Sequence, residues 1–204
     1  MANYMFEVTV SNSVRNQTQN VPGKFGTGTG ATFASAVCEA GTLCIQNGLI
    51  PSEGYESFNI LNGNTWYFHA ATNGQVAGYN GDHTGIYAFN NYEVNKATSG
   101  DNSWNLGANT LGISLPANER GDFTELIVGE QYTWGVDNFT AKPTEGQNFA
   151  IIANGKFTAQ ATAPTDGSVY AKILRKKPMN EGTSFWGDGY VLQILRATTA
   201  TVGA

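Results

Sequence analysis

The dipeptide Asn-Gly occurs five times in this chain, at Asn47-Gly48, Asn62-Gly63, Asn73-Gly74, Asn80-Gly81 and Asn154-Gly155, and no other feature constrains the fold as much. Both residues tolerate the positive φ angles of a type I′ turn, so Asn-Gly between apolar runs predicts a β-hairpin. Three instances carry such flanks. Leu43-Cys44-Ile45 leads to Leu49-Ile50, Phe58-Asn59-Ile60-Leu61 to Trp66-Tyr67-Phe68, and Phe149-Ala150-Ile151-Ile152 to Phe157-Thr158. A further hairpin is expected at Pro164-Thr165-Asp166-Gly167, joining Lys156–Ala163 with Ser168–Arg175. Strands are also predicted over Met5–Val10, Thr84–Phe89, Thr110–Leu115, Phe123–Val128 and Tyr190–Arg196, each rich in β-branched or aromatic residues. No segment holds a helical period for three turns, and the one helix candidate, Ala31–Ala40, reads equally as a strand. The expected class is all-β, with antiparallel sandwich or barrel-like sheets built from hairpins.

A chain of 204 residues, 41% hydrophobic, is long enough for one large β domain or two small ones. Only 13% of it is charged, where about 25% is usual. Asn, Thr, Ser and Gly fill the deficit. A net charge of -5 disfavours nucleic acid, because phosphates call for a positive field. No apolar run approaches the ~20 residues of a membrane span, and Met1-Ala2-Asn3-Tyr4 opens neither a basic nor an apolar leader, so folding in a cytoplasm is expected. Cys38 and Cys44 are too few for a disulfide framework and lack the partners of a zinc site, so both are read as reduced thiols.

Two stretches do not read as core. Residues 11–30, SNSVRNQTQNVPGKFGTGTG, hold few large apolar side chains and end in repeated Gly-Thr, which predicts an extended arm or loop that needs a surface to lie on. Lys96–Asn105 is a polar connection, and it divides the chain into an N-terminal β region, 1–98, that includes the arm, and a C-terminal barrel-like region, 99–204.

Catalytic signals are sparse. His69 falls inside a strand and His83 in a turn, without the spacing of a metal or triad site, and structural roles are the better reading. Asn80-Gly81-Asp82 lacks the rest of a calcium loop, no serine has a nucleophile-elbow context, and Gly26-Thr27-Gly28-Thr29-Gly30 is not followed by the Lys of a phosphate loop. Glu119, Asp122, Glu125, Glu130 and Asp137 could supply a glycosidase pair but are adequately read as solvated carboxylates. Arg120-Gly121-Asp122 matches an adhesion tripeptide and is read as coincidence. The expectation is no enzyme, no cofactor and no metal. Lys172, Arg175, Lys176 and Lys177 form the one basic cluster, read as a charged strand edge that resists unwanted pairing and that could meet an acidic partner. Trp66 and Trp134 lie in strand-like runs and are expected in the core. Trp104 and Trp186 lie in polar loops and are expected as exposed contacts, whether for a partner or for a sugar.

The stretch GANTLGISLPANERGDFTELIVGEQYTWGVDNF, Gly107–Phe139, followed by NFAIIANGKFTAQATAPTDGSVYAKILRK, Asn148–Lys176, together with the Gly/Thr-rich arm, resembles the head decoration or capsid cement proteins of tailed bacteriophages. The resemblance is one of style and strand-turn pattern. It implies a virion protein on the outer capsid surface, a homo-oligomer such as a trimer, clamping neighbouring copies of a major capsid protein, with no catalytic residues. The arm is then the expected capsid contact, through Val14, Arg15, Val21, Pro22, Lys24 and Phe25. A carbohydrate-binding or receptor-binding module, as in a head fibre or tail component, is the alternative.

Overall fold

The computed structural model describes residues 4–10, 20–28, 32–50, 65–72, 85–91, 114–181 and 184–197. Within them twelve strands run in chain order: β1 Phe6–Val10, β2 Asn20–Thr27, β3 Ala34–Ser35, β4 Leu43–Ile50, β5 Thr65–Ala70, β6 Tyr87–Asn91, β7 Gly121–Glu125, β8 Gln131–Gly135, β9 Phe149–Ala153, β10 Lys156–Gln160, β11 Tyr170–Glu181 and β12 Ser184–Arg196. One 3-10 turn, Val136–Asn138, follows β8. The protein is all-β, as the turn signals require.

The strands form two sheets. One is antiparallel, in the order β1-β8-β12-β11-β9-β10. The other closes on itself: β2 pairs with β5, β5 with β4, β4 with β6, β6 with β7, and β7 returns to β2, giving a five-stranded barrel. Among its described strand pairs, only β2 and β5 run parallel. Closure leaves no free edge within that ring.

Alternation along the barrel strands builds two cores at once. On β4, Cys44 lies in the barrel interior, whereas Leu43 packs outward against the six-stranded sheet. Tyr87 and Phe89 of β6 likewise point inward, and Ala88 outward. The interior is aromatic: Phe68 stacks on Phe123 with ring centroids 3.9 Å apart and meets Tyr87 edge-on at 5.4 Å. The outward residues Leu43, Ala71, Ile86, Ala88 and Leu126 join Phe6, Tyr132, Trp134, Phe157, Tyr190 and Leu192 of the antiparallel sheet in one continuous core. A period of two thus lets a single strand serve both cores.

Buried polar groups fix the junction. Asn138 accepts from Met5 N–H at 3.0 Å and donates to Ala40 C=O at 2.7 Å, while Trp134 Nε1–H donates to Gly41 C=O at 3.1 Å. These bonds tie the start of β1 and the end of β8 to the turn that enters β4.

Several local expectations change. Asn154-Gly155 does turn a hairpin: Ala153 faces Lys156, with φ of +51° and +80° at the two turn residues. Asn47-Gly48 does not. It lies within β4, where the register against β5 shifts between Gln46 and Gly48, so its permissive backbone makes a bulge instead of a turn. Pro164–Gly167 does not join a hairpin either, because β11 pairs with β9 and β10 lies beyond β9. Ala31–Ala40 holds no α-helix among its described residues; it contributes β3 and a bridge from Cys38 to Leu115. The other three Asn-Gly pairs lie outside the described residues, as do His83 and most of Thr110–Leu115.

The expected arm is corrected over its second half. Residues 11–19 lie outside the described set, but 20–27 are β2, bonded to β3, β5 and β7. Gly23 explains why. A Cβ there would sit 2.5 Å from Phe68 Cε2, so its missing side chain is what allows close packing in the barrel. The division at 98/99 itself falls outside the described residues. The two sheets are interleaved in sequence, with β1 in the sheet of β8–β12 and β7 in the barrel.

Candidate interaction surface

The longest strands, β11 and β12, pair with each other along their whole length, yet their other neighbours are short. β9 accompanies β11 only from Tyr170 to Lys172, and β8 accompanies β12 only from Gly189 to Gln193. Ile173 N–H still donates to Asn148 C=O at 2.8 Å. Beyond it no described strand pairs with the outer edge of β11. Pro178, which has no N–H to offer, ends the open stretch, so Leu174 to Lys177 leave about 13 Å of edge at ~3.3 Å per residue.

This edge carries the basic cluster. Four of the eleven Lys and Arg residues lie between 172 and 177, leaving seven cations against sixteen carboxylates elsewhere, so the rest of the chain is at -9 where the whole is at -5. A register shift between Ile173 and Arg175 inserts Leu174 as an extra residue. Lys172 stands opposite Gln193, Arg175 opposite Val191 and Lys177 opposite Gly189. Because 189, 191 and 193 alternate on β12, the bulge puts Lys172, Arg175 and Lys177 in one row on the face turned away from the main core. Without it Arg175 would fall on the other face. Leu174 itself is 38% exposed.

Two of the cations are engaged. Lys177 Nζ lies 2.6 Å from Glu7 Oε2 on β1, and Lys176 Nζ lies 2.8 Å from Asp188 Oδ2, which Lys142 also approaches at 3.4 Å. The hydrogen bond to Lys176 holds the Asp188 carboxyl below the usual range, and the same bond pushes Lys176 up. Beside the Lys177–Glu7 pair the face is small and close-packed. A Cβ at Gly189 would run into Met179 Sδ, and Thr133 Cγ2 would be 3.0 Å away, so glycine lets buried Met179 lie flat over β12. Lys172 and Arg175 are exposed and have no ionic partner among the described residues.

The sequence-predicted contacts scatter. Val14, Arg15 and Trp104 lie outside the described residues, and Trp186 is on β12 with its side chain outside them. Val21 and Phe25 are half-buried against the barrel core, which removes them as free contacts; Pro22 is exposed, and Lys24 is half-buried. Trp134 is fully buried and Trp66 packs against the barrel core. Glu130 is buried and accepts from Tyr132 Oη at 2.9 Å. Arg120-Gly121-Asp122 leads into β7. Among the described residues no three His, Cys, Asp or Glu side chains gather as metal ligands would.

His69 sits on the outer face of the barrel. Its Nδ1 is 2.9 Å from Asn47 Nδ2, its ring is 5.3 Å from that of Tyr67, and Phe33 lies 5.1 Å from Tyr67 on the same patch. Burial lowers the His69 pKa, against an opposing pull from the Gly28 backbone. Its Nε2 is buried without a hydrogen-bond partner among the described residues.

Comparison with protein-family models, with curated proteins and with solved structures returns no match.

Proposed function

We propose that this protein works by docking onto a larger assembly and that the assembly is a bacteriophage head, on whose outer surface it binds the major capsid protein and clamps neighbouring subunits. The observation that carries the docking role is the open, basic edge of β11 on an otherwise acidic body. Two sheets locked through one core make a stiff platform, and a stiff platform loses little entropy when its edge is bound. Each copy need contribute only a modest interface, since repetition over a lattice supplies the total. Residues 11–19 keep their proposed role as a second contact, now starting from a barrel strand that anchors them. The homo-oligomer, a trimer in the related architecture, belongs to the same proposal. Purified protein should cosediment with undecorated phage shells, and deletion of 11–19 should weaken the association; protein that stays in the supernatant counts against the capsid as partner.

A glycan-binding role is the second reading, and it now rests on the Phe33, Tyr67, His69 and Asn47 patch, which combines aromatic rings with a side-chain amide. Phe33→Ala should abolish binding on a glycan array while the fold is kept. An array on which the unaltered protein binds nothing disposes of this reading.

A further inference from the structure

We propose that the β11 edge from Leu174 to Lys177 takes up an extended acidic segment of a protein partner as an added strand, with carboxylates at alternate positions set beside Arg175 and Lys177 and with Lys172 flanking the end of the segment on the same face. The inference rests on the docking role above and specifies the chemistry of what docks.

The spacing carries the argument. On a strand, alternate residues stand about 7 Å apart on one face, and residues side by side on neighbouring strands meet on that face. Lys172, Arg175 and Lys177 answer to Gln193, Val191 and Gly189, so the bulge at Leu174 gives the three cations that same alternate-residue spacing. An incoming strand with Glu or Asp at every second position sets these carboxylates beside Arg175 and Lys177 while its backbone meets the open edge, and Lys172, which β9 pairs through Phe149, adds its charge at the end of the segment. Lys177 is already held by Glu7, a carboxylate reaching it from β1, which shows in this chain the pairing a partner would extend to Arg175 and Lys172. Leu174, exposed at the bulge, offers a small apolar contact beside the charges.

Charge selects among occupants. A second copy adding its own β11 would set Arg and Lys against Arg and Lys, which opposes edge-to-edge pairing. A nucleic acid would meet two unpaired cations backed by a body at -9, too little to neutralise a phosphate backbone. An acidic strand meets neither obstacle.

The test uses the full chain and two short synthetic peptides, one alternating Glu with Val and Thr, the other identical but with Lys for Glu. The Glu peptide should bind, more weakly as salt rises, and should protect the Lys176 amide, which faces the open edge, from hydrogen exchange. Lys172→Glu with Arg175→Glu should weaken it by about tenfold or more, with thermal unfolding unchanged because both side chains are exposed. Binding of both peptides alike, binding indifferent to the double charge reversal, equal binding of duplex DNA, or self-association through this edge in sedimentation would each overturn the proposal. No capsid enters this assay. Peptide binding with no affinity for shells would remove the capsid and keep the edge, whereas shell binding that survives the charge reversal would do the reverse.

Discussion

Asn138→Ala should be among the most damaging polar substitutions in this protein, and its cost can be worked from two hydrogen bonds. The side chain is 1% exposed, accepts from Met5 N–H and donates to Ala40 C=O. Truncation leaves one buried donor and one buried acceptor without partners, at ~1–3 kcal/mol each, for a loss of about 2–6 kcal/mol. Domains of this kind are stable by ~5–15 kcal/mol, so a large share would go. In urea denaturation the midpoint should fall with the slope unchanged, and melting should drop by ~4–24 °C, taking ~2–4 °C per kcal/mol for a chain of this size. Trp134→Phe removes the neighbouring bond to Gly41 C=O and disturbs the same turn. The two substitutions should therefore be non-additive, with a coupling of ~0.5–3 kcal/mol. A loss under ~0.5 kcal/mol for Asn138→Ala, or strict additivity of the pair, would refute the view that this turn locks the barrel to the antiparallel sheet.

Other groups report on the barrel. Burial, and then the nearby Glu125 carboxylate, push the Tyr87 phenol up to about 12, so a spectrophotometric titration should show one tyrosine ionising well after the exposed ones. Its folded value lies above the unfolded one, so the contribution is present at neutral pH and is lost as pH rises from ~10 through about 12. Burial, reinforced by the neighbouring Cys38 thiol, raises Cys44 well above an ordinary thiol, so native protein should resist alkylation at pH 8 and label at both cysteines only on unfolding; rapid labelling of the native state would contradict this packing. For His69 the shift has the opposite sign. The unfolded chain takes up a proton below ~6.5 before the folded one does, so stability should decline as pH falls from there toward the lower folded value, and His69→Phe should flatten that part of the profile.

What could be read from the sequence depended on whether the local signal had a single structural meaning. Asn154-Gly155 did, because strands of equal length flank it and both of its residues take the positive φ angles of a tight turn. Asn47-Gly48 has the same chemistry, but β4 must pair with β5 on one side and β6 on the other, so the strand runs on and the glycine makes a bulge beside Tyr67. β2 was hidden for a related reason. Pro22 and Gly23 lower strand propensity, yet Gly23 fits beneath Phe68 and the barrel closes on this segment from both sides. No local pattern could show that.

The interaction edge was half legible. The run of cations from Lys172 to Lys177 is visible in the sequence, and so is its reading as a charged strand edge. Their alignment on one face is not visible, because it depends on the extra residue at Leu174, which only the pairing with β12 reveals. Glu7 as the partner of Lys177 lies 170 positions away in sequence. The small residues that let Met179 cover β12 could have been suspected from Gly187-Asp188-Gly189, since glycines at alternate strand positions invite close approach.

The clamping claim is tested most directly by heating phage shells with and without bound protein and following release of their DNA. Saturated shells should hold their DNA to a clearly higher temperature than bare shells, and the gain should shrink when Lys172→Glu/Arg175→Glu protein is supplied in its place. Shells that carry the protein yet release DNA at the same temperature as bare ones would contradict the account.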